Sequence, residues 1–246
     1  MRLLSLALLF CLASIVVYSQ EPAYDLPIKV GIFDQQVHRS YTTDEGLPDN
    51  KVNRIIVTSD GRILAETAMG VAEFDGKRFQ SISNSNSNIL SQAKLNSKAL
   101  TSLRKQTSSE LEIRSVAEFQ DELAVAADLG LYLRKENKWD LVLPRQESVR
   151  WAPVDVRAVA YDASGSLWFA SPQGVGYRIS EERWKLFTGD EGLPFNDFTC
   201  IGIGPQSVWF GTTNGAIQYR DSEWFFRQGG RWLLDSHVND IAVDES

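Results

Sequence analysis

The sequence predicts an all-β chain, a β-propeller of four-stranded blades with about four complete blades and the start of a fifth, and three observations lead to it. The stretch YTTDEGLPDN, Tyr41 to Asn50, returns as FTGDEGLPFN, Phe187 to Asn196, identical at seven of ten positions and displaced by 146 residues. Alternating apolar strands open at Val52, Arg114, Val156, Phe198 and again at Val238, at spacings of 62, 42, 42 and 40 residues. Within the units a glycine falls in register, at Gly70, Gly130, Gly174 and Gly215, and an aromatic follows at the end of a charged hairpin. A β-sandwich would not keep such even marks.

The elements follow in chain order. Residues 1–19 read as a secretory signal, with Arg2, an apolar run from Leu3 to Tyr18, and Val17 and Ser19 as the small residues of a cleavage site. An uncleaved membrane anchor is the alternative, although sixteen apolar residues are short for a span. Residues 20–36 form a lead-in, and 37–246 a partial propeller. Each unit has a first strand, a turn such as SDG or ASG, and a second strand: RILAET, ELAVAAD, SLWFAS or SVWFGT. The registered glycine turns the chain into a third strand, and a fourth leads to the next unit. With a unit of about 42 residues, the first interval carries about 20 extra, visible as the polar tract Ser81 to Glu110. Three units and that insertion account for the 146-residue offset, so the twin loops are punctuation of the repeat and not a duplicated active site. The sequence stops at VNDIAVDES, where the unit opening at Val52 continues with DGRILAET, so the chain reads as part of a larger propeller. The stretch VHRSYTT, from Val37, would serve as the outer strand of a blade completed by later residues.

The pattern GLPxN, apolar strand, DG, LWFGT, xxG, apolar strand, charged turn, Trp or Phe resembles the two-component regulator propeller repeats of periplasmic sensor regions in hybrid histidine kinases and related secreted proteins. It is clearest in 156–196 and 198–226, good in 41–79, and weak in 114–143, where AVAADLG replaces the motif. The resemblance implies a secreted or periplasmic sensor that binds an extracellular ligand, often a glycan fragment, and signals through a membrane helix. Here the membrane would be reached only through a C-terminal part beyond this sequence.

Charge and motifs limit the chemistry. A net charge of -7 argues against nucleic acid, which would select clustered Lys and Arg. Loss of the signal removes Cys11 and leaves Cys200, which excludes an intramolecular disulfide and a thiolate metal cage; Cys200, in FTCIGIG, reads as a buried inert thiol. His38 and His237 precede equivalent strands, a thin basis for a metal pair, so neither a metal nor a cofactor is expected. Asp44-Glu45 and Asp190-Glu191 read as loop-capping residues, with Asp as the cap and the following Gly at positive φ. No catalytic set is evident.

Four tryptophans at equivalent places, Trp168 with Trp209 and Trp184 with Trp224, are the ligand-binding candidates, because an exposed indole near a propeller mouth can stack on a sugar ring. Packing between blades is the other account of them. The insertion carries Lys94, Lys98, Arg104 and Lys105 with no acidic residue from Ser81 to Ser109, and Ile89, Ala93, Leu100 and Leu103 could form one side of a helix that docks on a protein partner. A solvated, partly disordered loop is the reading its Ser and Asn content favours. The favoured function is a non-catalytic, ligand-binding or interaction propeller; a secreted propeller enzyme such as a polysaccharide lyase, with Arg, Lys, Tyr or His converging at one channel mouth, and a truncated structural fragment are the alternatives.

Overall fold

The computed structural model describes residues 39–58, 61–82, 89–229 and 232–243, with side chains from 98 onward in the insertion. All of them belong to the compact unit His38–Ser246. The signal, the lead-in and His38 lie outside the described residues, as do Ile89, Ala93 and Lys94 at side-chain level.

Four antiparallel meanders of four strands form the blades. Blade 1 holds β1 (Val52–Val57), β2 (Ile63–Thr67), β3 (Gly70–Phe74) and β4 (Phe79–Ile82). Blade 2 holds β5 (Ile113–Phe119), β6 (Glu122–Ala127), β7 (Gly130–Lys135) and β8 (Lys138–Leu141). A short hairpin follows, β9 (Arg145–Gln146) with β10 (Val149–Arg150), and Gln146 Oε1 accepts from Leu186 N–H. Blade 3 holds β11 (Ala158–Tyr161), β12 (Leu167–Ser171), β13 (Gly174–Arg178) and β14 (Trp184–Phe187). Blade 4 holds β15 (Phe198–Gly204), β16 (Ser207–Thr212), β17 (Gly215–Arg220) and β18 (Glu223–Arg227).

The registered glycines now have a mechanism. Each closes the turn between a blade's second and third strands, paired with Thr67, Ala127, Ser171 or Thr212, and each has φ between 131° and 151°, which a side chain disfavours. Where the partner has a hydroxyl it donates to the glycine carbonyl, at 3.0 Å from Thr67, 3.2 Å from Ser171 and 2.9 Å from Thr212. This is why three of the four second strands end in Thr or Ser, while β6 ends in Ala127.

Strand alternation sends successive side chains to opposite neighbours. In β12, Leu167 and Phe169 pack with Ala124, Ala126 and Leu131 of blade 2, whereas Trp168 and Ala170 pack with Val208, Phe210 and Ile217 of blade 4. Small Ala residues in blade 2 make room for Trp151, Phe169 and Trp184 opposite them. Burial of each such large apolar side chain contributes on the order of 1.5–3 kcal/mol.

The polar insertion departs from the loop expectation. It forms α1 (Ile89–Gln106), whose Ala99 and Leu103 are buried against Leu123, Val125, Tyr132 and Trp139 of blade 2. Trp139 Nε1 donates to Ser102 Oγ at 2.9 Å, and Gln106 Nε2 donates to Trp139 O at 3.0 Å. Composition pointed to a loop, but apolar residues four apart on good helix formers gave the segment one face to bury. Lys98, Arg104 and Lys105 remain exposed on it.

Residues 39–42 carry no strand, so the outer strand expected at VHRSYTT is not formed in its described part. Tyr41 nonetheless packs on Phe74 and Phe79 of blade 1. The twin loops are alike in detail. Thr42 and Thr188 each cap a 3-10 turn in a full capping box with Glu45 and Glu191, and Gly46 and Gly192 end it at φ 98° and 84°. The side chain that answers the threonine is therefore Glu and not the Asp expected as the cap, because only the third residue of the turn reaches back to the cap backbone. Asp44 and Asp190 stay exposed.

Candidate functional site

The first strands of the four blades stand around a common axis, and the segment Val238–Val243 joins them as a fifth wall. Val238 N–H donates to Thr212 O at 3.0 Å, as Val156 N–H donates to Ala127 O at 3.0 Å where blade 3 follows blade 2. On its other side the segment reaches blade 1: Ile55 N–H donates to Asp240 Oδ2 at 2.8 Å, and Asn239 Nδ2 donates to Val52 O at 2.8 Å. Leu100 of α1 completes the lining near blades 1 and 2.

The channel between them is open to solvent and has a volume of about 620 Å³. One residue from each wall lines it at equivalent positions: Arg54, Ser115, Ala158, Cys200 and Asp240. In β1, β5 and β15 a register break precedes this residue, which turns an otherwise alternating strand so that two successive side chains, such as Asn53 and Arg54, reach the channel. The arginines are already partnered. Arg54 pairs with Glu66 at 2.9 Å, and Arg114 pairs with Asp155 at 2.8 Å and Glu112 at 3.1 Å. Burial pushes the Asp240 carboxyl above its ordinary range, partly offset by the N–H groups of Ile55 and Ile241 that it accepts. Burial also pushes the Cys200 thiol up to about 11, with Asp240 adding to the effect. The result is a polar, nearly charge-balanced cavity that offers amide, carboxylate and guanidinium groups on one side and small neutral residues on the other.

The four candidate tryptophans do not meet in this channel. Trp168 is 5% exposed, stacked on Tyr177 at 4.4 Å with its Nε1 donating to Asp162 Oδ2 at 3.0 Å. Trp184 is equally buried, edge-on to Phe169 at 5.6 Å. Trp224 is half-buried against Phe187 and Tyr219, and Trp209 is half-buried on the far face of blade 4. Trp184 borders a separate cavity of about 720 Å³ at the rim between blades 2 and 3. Beside it Arg178 grips Glu122 through two bonds, at 3.0 and 2.5 Å, and Tyr161 donates to Glu122 at 2.6 Å. His237 is exposed, its N–H donating to Asp235 at 3.0 Å. The channel residues left a signal in the sequence: VNR, IRS, FTC and VND each place a polar residue at the second position of an apolar strand.

No family model matches the chain, and no curated protein matches it. Solved structures similar to it include the extracellular domain of a hybrid two-component system from B. thetaiotaomicron, at 18% identity and a TM-score of 0.40, covering 73% of this chain and 23% of that one. Virginiamycin B lyase from Staphylococcus aureus is similar at 15% identity and a TM-score of 0.40, covering 81% and 62%. PorZ of the type-IX secretion system of Porphyromonas gingivalis is similar at 11% identity and a TM-score of 0.39, covering 79% and 22%. The chain spans less than a quarter of the length of that two-component domain. The propeller assignment rests on the chain's own four meanders and the ring they share. Among the described residues no helix is long and apolar enough to cross a membrane.

Proposed function

We propose that this chain is a non-catalytic, extracytoplasmic propeller that binds a small, neutral, hydroxyl-rich ligand such as a glycan fragment in its central channel. The observation that carries this reading is the set Asn53, Arg54, Asn239 and Asp240, brought together on two adjacent channel walls from opposite ends of the chain. Planar amide, carboxylate and guanidinium groups pair with neighbouring hydroxyls, and the existing ion pairs leave little net charge to attract an ionic ligand. The described lining holds arginines but no Lys, Tyr or His, which favours binding over a lyase reaction. The extracytoplasmic setting is supported by the signal-like residues 1–19.

The experiment is calorimetric titration of the mature chain with a panel of neutral oligosaccharides, repeated with Asn239→Ala. The expected result is saturable binding to at least one member, weakened several-fold by the substitution, as loss of one hydrogen-bonding side chain predicts. Binding that ignores Asn239→Ala, or binding of anionic glycans alone, overturns the reading.

A further inference from the structure

Where blade 3 follows blade 2, and blade 4 follows blade 3, the middle strands of the earlier blade seal the first strand of the later one. Val156 and Val159, at and beside the start of β11, are buried against Ala124, Ala126 and Leu131 of blade 2, and Phe198 of β15 is buried against Trp168 and Ala170 of blade 3. Ile113 and Val116 of β5 hold the equivalent places in blade 2, yet both are only half-buried and both line the channel. The register break at Arg114 keeps them on one face of the sheet: Ile113 stands opposite Ala127 and Val116 opposite Val125, two residues apart on β6.

Their openness follows from α1. The apolar cluster against which Ile113 and Val116 pack is built from the helix, Leu111 and the strands of blade 2, with no described residue of blade 1 in it. The helix is held on blade 2 through Trp139, which donates to Ser102 Oγ and accepts from Gln106 Nε2. Leu100 follows the buried Ala99 and stands about 100° further around the helix axis, so it packs on the rim of this cluster and also reaches the channel. Leu100, Ile113 and Val116 therefore present a half-buried aliphatic patch to a channel whose neighbouring walls carry Asn53, Arg54 and Asp240. A hydroxyl pressed against that patch would lose its water and gain no partner, whereas a methyl group would gain from leaving water.

We infer that the channel selects a saccharide bearing a methyl group, as a 6-deoxyhexose or an N-acetylated hexosamine does, and that Leu100, Ile113 and Val116 form the subsite for that methyl; this rests on the reading of the channel as a saccharide site. The amide, guanidinium and carboxylate groups take the hydroxyl edge of the ring, and the aliphatic patch takes the edge that carries the methyl. Burial of one methyl is worth about a fourfold gain in affinity over the parent sugar. The three aliphatic residues set specificity, and the polar set supplies the hydrogen bonds common to all the sugars.

The test is calorimetry on the full chain with matched sugars: L-fucose against L-galactose, L-rhamnose against L-mannose, and N-acetylglucosamine against glucose. The expected result is that the methyl-bearing member of at least one pair binds about fourfold tighter, and that this ratio falls toward one in Leu100→Asn and in Val116→Thr. A substitution that merely loosened the fold would weaken both members of a pair alike and leave the ratio unmoved. A preference confined to the first two pairs assigns the methyl to a 6-deoxyhexose, and one confined to the third assigns it to an acetamido group. A ratio near one in every pair, a ratio that survives both substitutions, or binding of neutral oligosaccharides for which no methyl-bearing sugar competes overturns the methyl subsite and leaves the channel a saccharide site. Failure of every neutral saccharide to bind overturns both.

Discussion

Tyr41 meets Phe79 edge-on with ring centroids 5.6 Å apart, and Phe187 meets Trp224 in the same way at 5.2 Å. Residues separated by three repeats thus perform one packing task, that of locking the end of one blade onto the outer strands of the next. Phe187 is 3% exposed, so Phe187→Ala should cost about 3–5 kcal/mol. Tyr41 is half-buried and has fewer neighbours to lose, so Tyr41→Ala should cost about 1–3 kcal/mol. Denaturant unfolding of both variants checks this, and a neutral Tyr41→Ala would mean that the chain before Thr42 does not help to lock blade 1.

The capping boxes predict an acid-sensitive contribution. Hydrogen bonds from the side chain and backbone of Thr42 hold the Glu45 carboxyl below its usual range, and Thr188 does the same for Glu191. A carboxyl with a depressed folded pKa gives stability that is present above its unfolded value, near 4.3, and is lost as pH falls through the folded one. Titration of the two carboxyl carbons by NMR should therefore show both below the ordinary glutamate range. Thr188→Ala removes the hydroxyl bond but not the backbone N–H bond, so it should move Glu191 part of the way back up and leave Glu45 alone, and an unmoved Glu191 would show that the box is not closed in solution.

Much of this fold was legible because punctuation is local. The turn glycines and the GLPxN loops each need one backbone conformation, and each appears in the sequence wherever the structure needs it, with a Thr or Ser before the glycine in three blades of four. The helix α1 was harder to read. Its described buried residues are few, Ala99 and Leu103 among them, and the surface they meet, Leu123, Val125 and Trp139, comes from β6 and β8 of blade 2, whose own motif is degenerate. The site was least legible. Tryptophans stand out in a sequence, but Trp168 and Trp184 are consumed by packing between blades. The channel is instead lined by Asn53, Arg54, Asn239 and Asp240, ordinary residues that become a set only when the ring brings residue 54 beside residue 240.

Cys200 tests how closed the channel wall is. With its thiol pushed up to about 11, roughly one molecule in a thousand carries a thiolate at pH 8, against more than a tenth for a free cysteine. In a chain with Cys11 replaced by serine, iodoacetamide at pH 8 should leave Cys200 unmodified in the folded state and alkylate it fully in denaturant, as read by mass spectrometry. Rapid alkylation of the folded chain would mean that Val238–Val243 lifts from blade 4 and exposes the sulfur.

Two glycines separate the stability of the ring from the integrity of its channel. An alanine Cβ at Gly202 would stand 2.6 Å from Ile241 Cγ2 and 2.9 Å from Ile241 O, and one at Gly176 would stand 2.4 Å from Phe169 Cε1. Both substitutions overpack, and each should cost about 1–3 kcal/mol. Their consequences for the channel differ. Gly176→Ala strains the contact of β13 with Phe169 and Leu186 within blade 3, away from the channel lining. Gly202→Ala pushes on Val238–Val243 and draws Asp240 away from Ile55 N–H and Asn239 away from Val52 O, so it removes one wall of the channel. Thermal melts should show similar losses for the two variants, while a stabilising oligosaccharide raises the melting temperature of Gly176→Ala and not of Gly202→Ala. An equal rise in both would place the ligand somewhere other than the wall that Asn239 and Asp240 form.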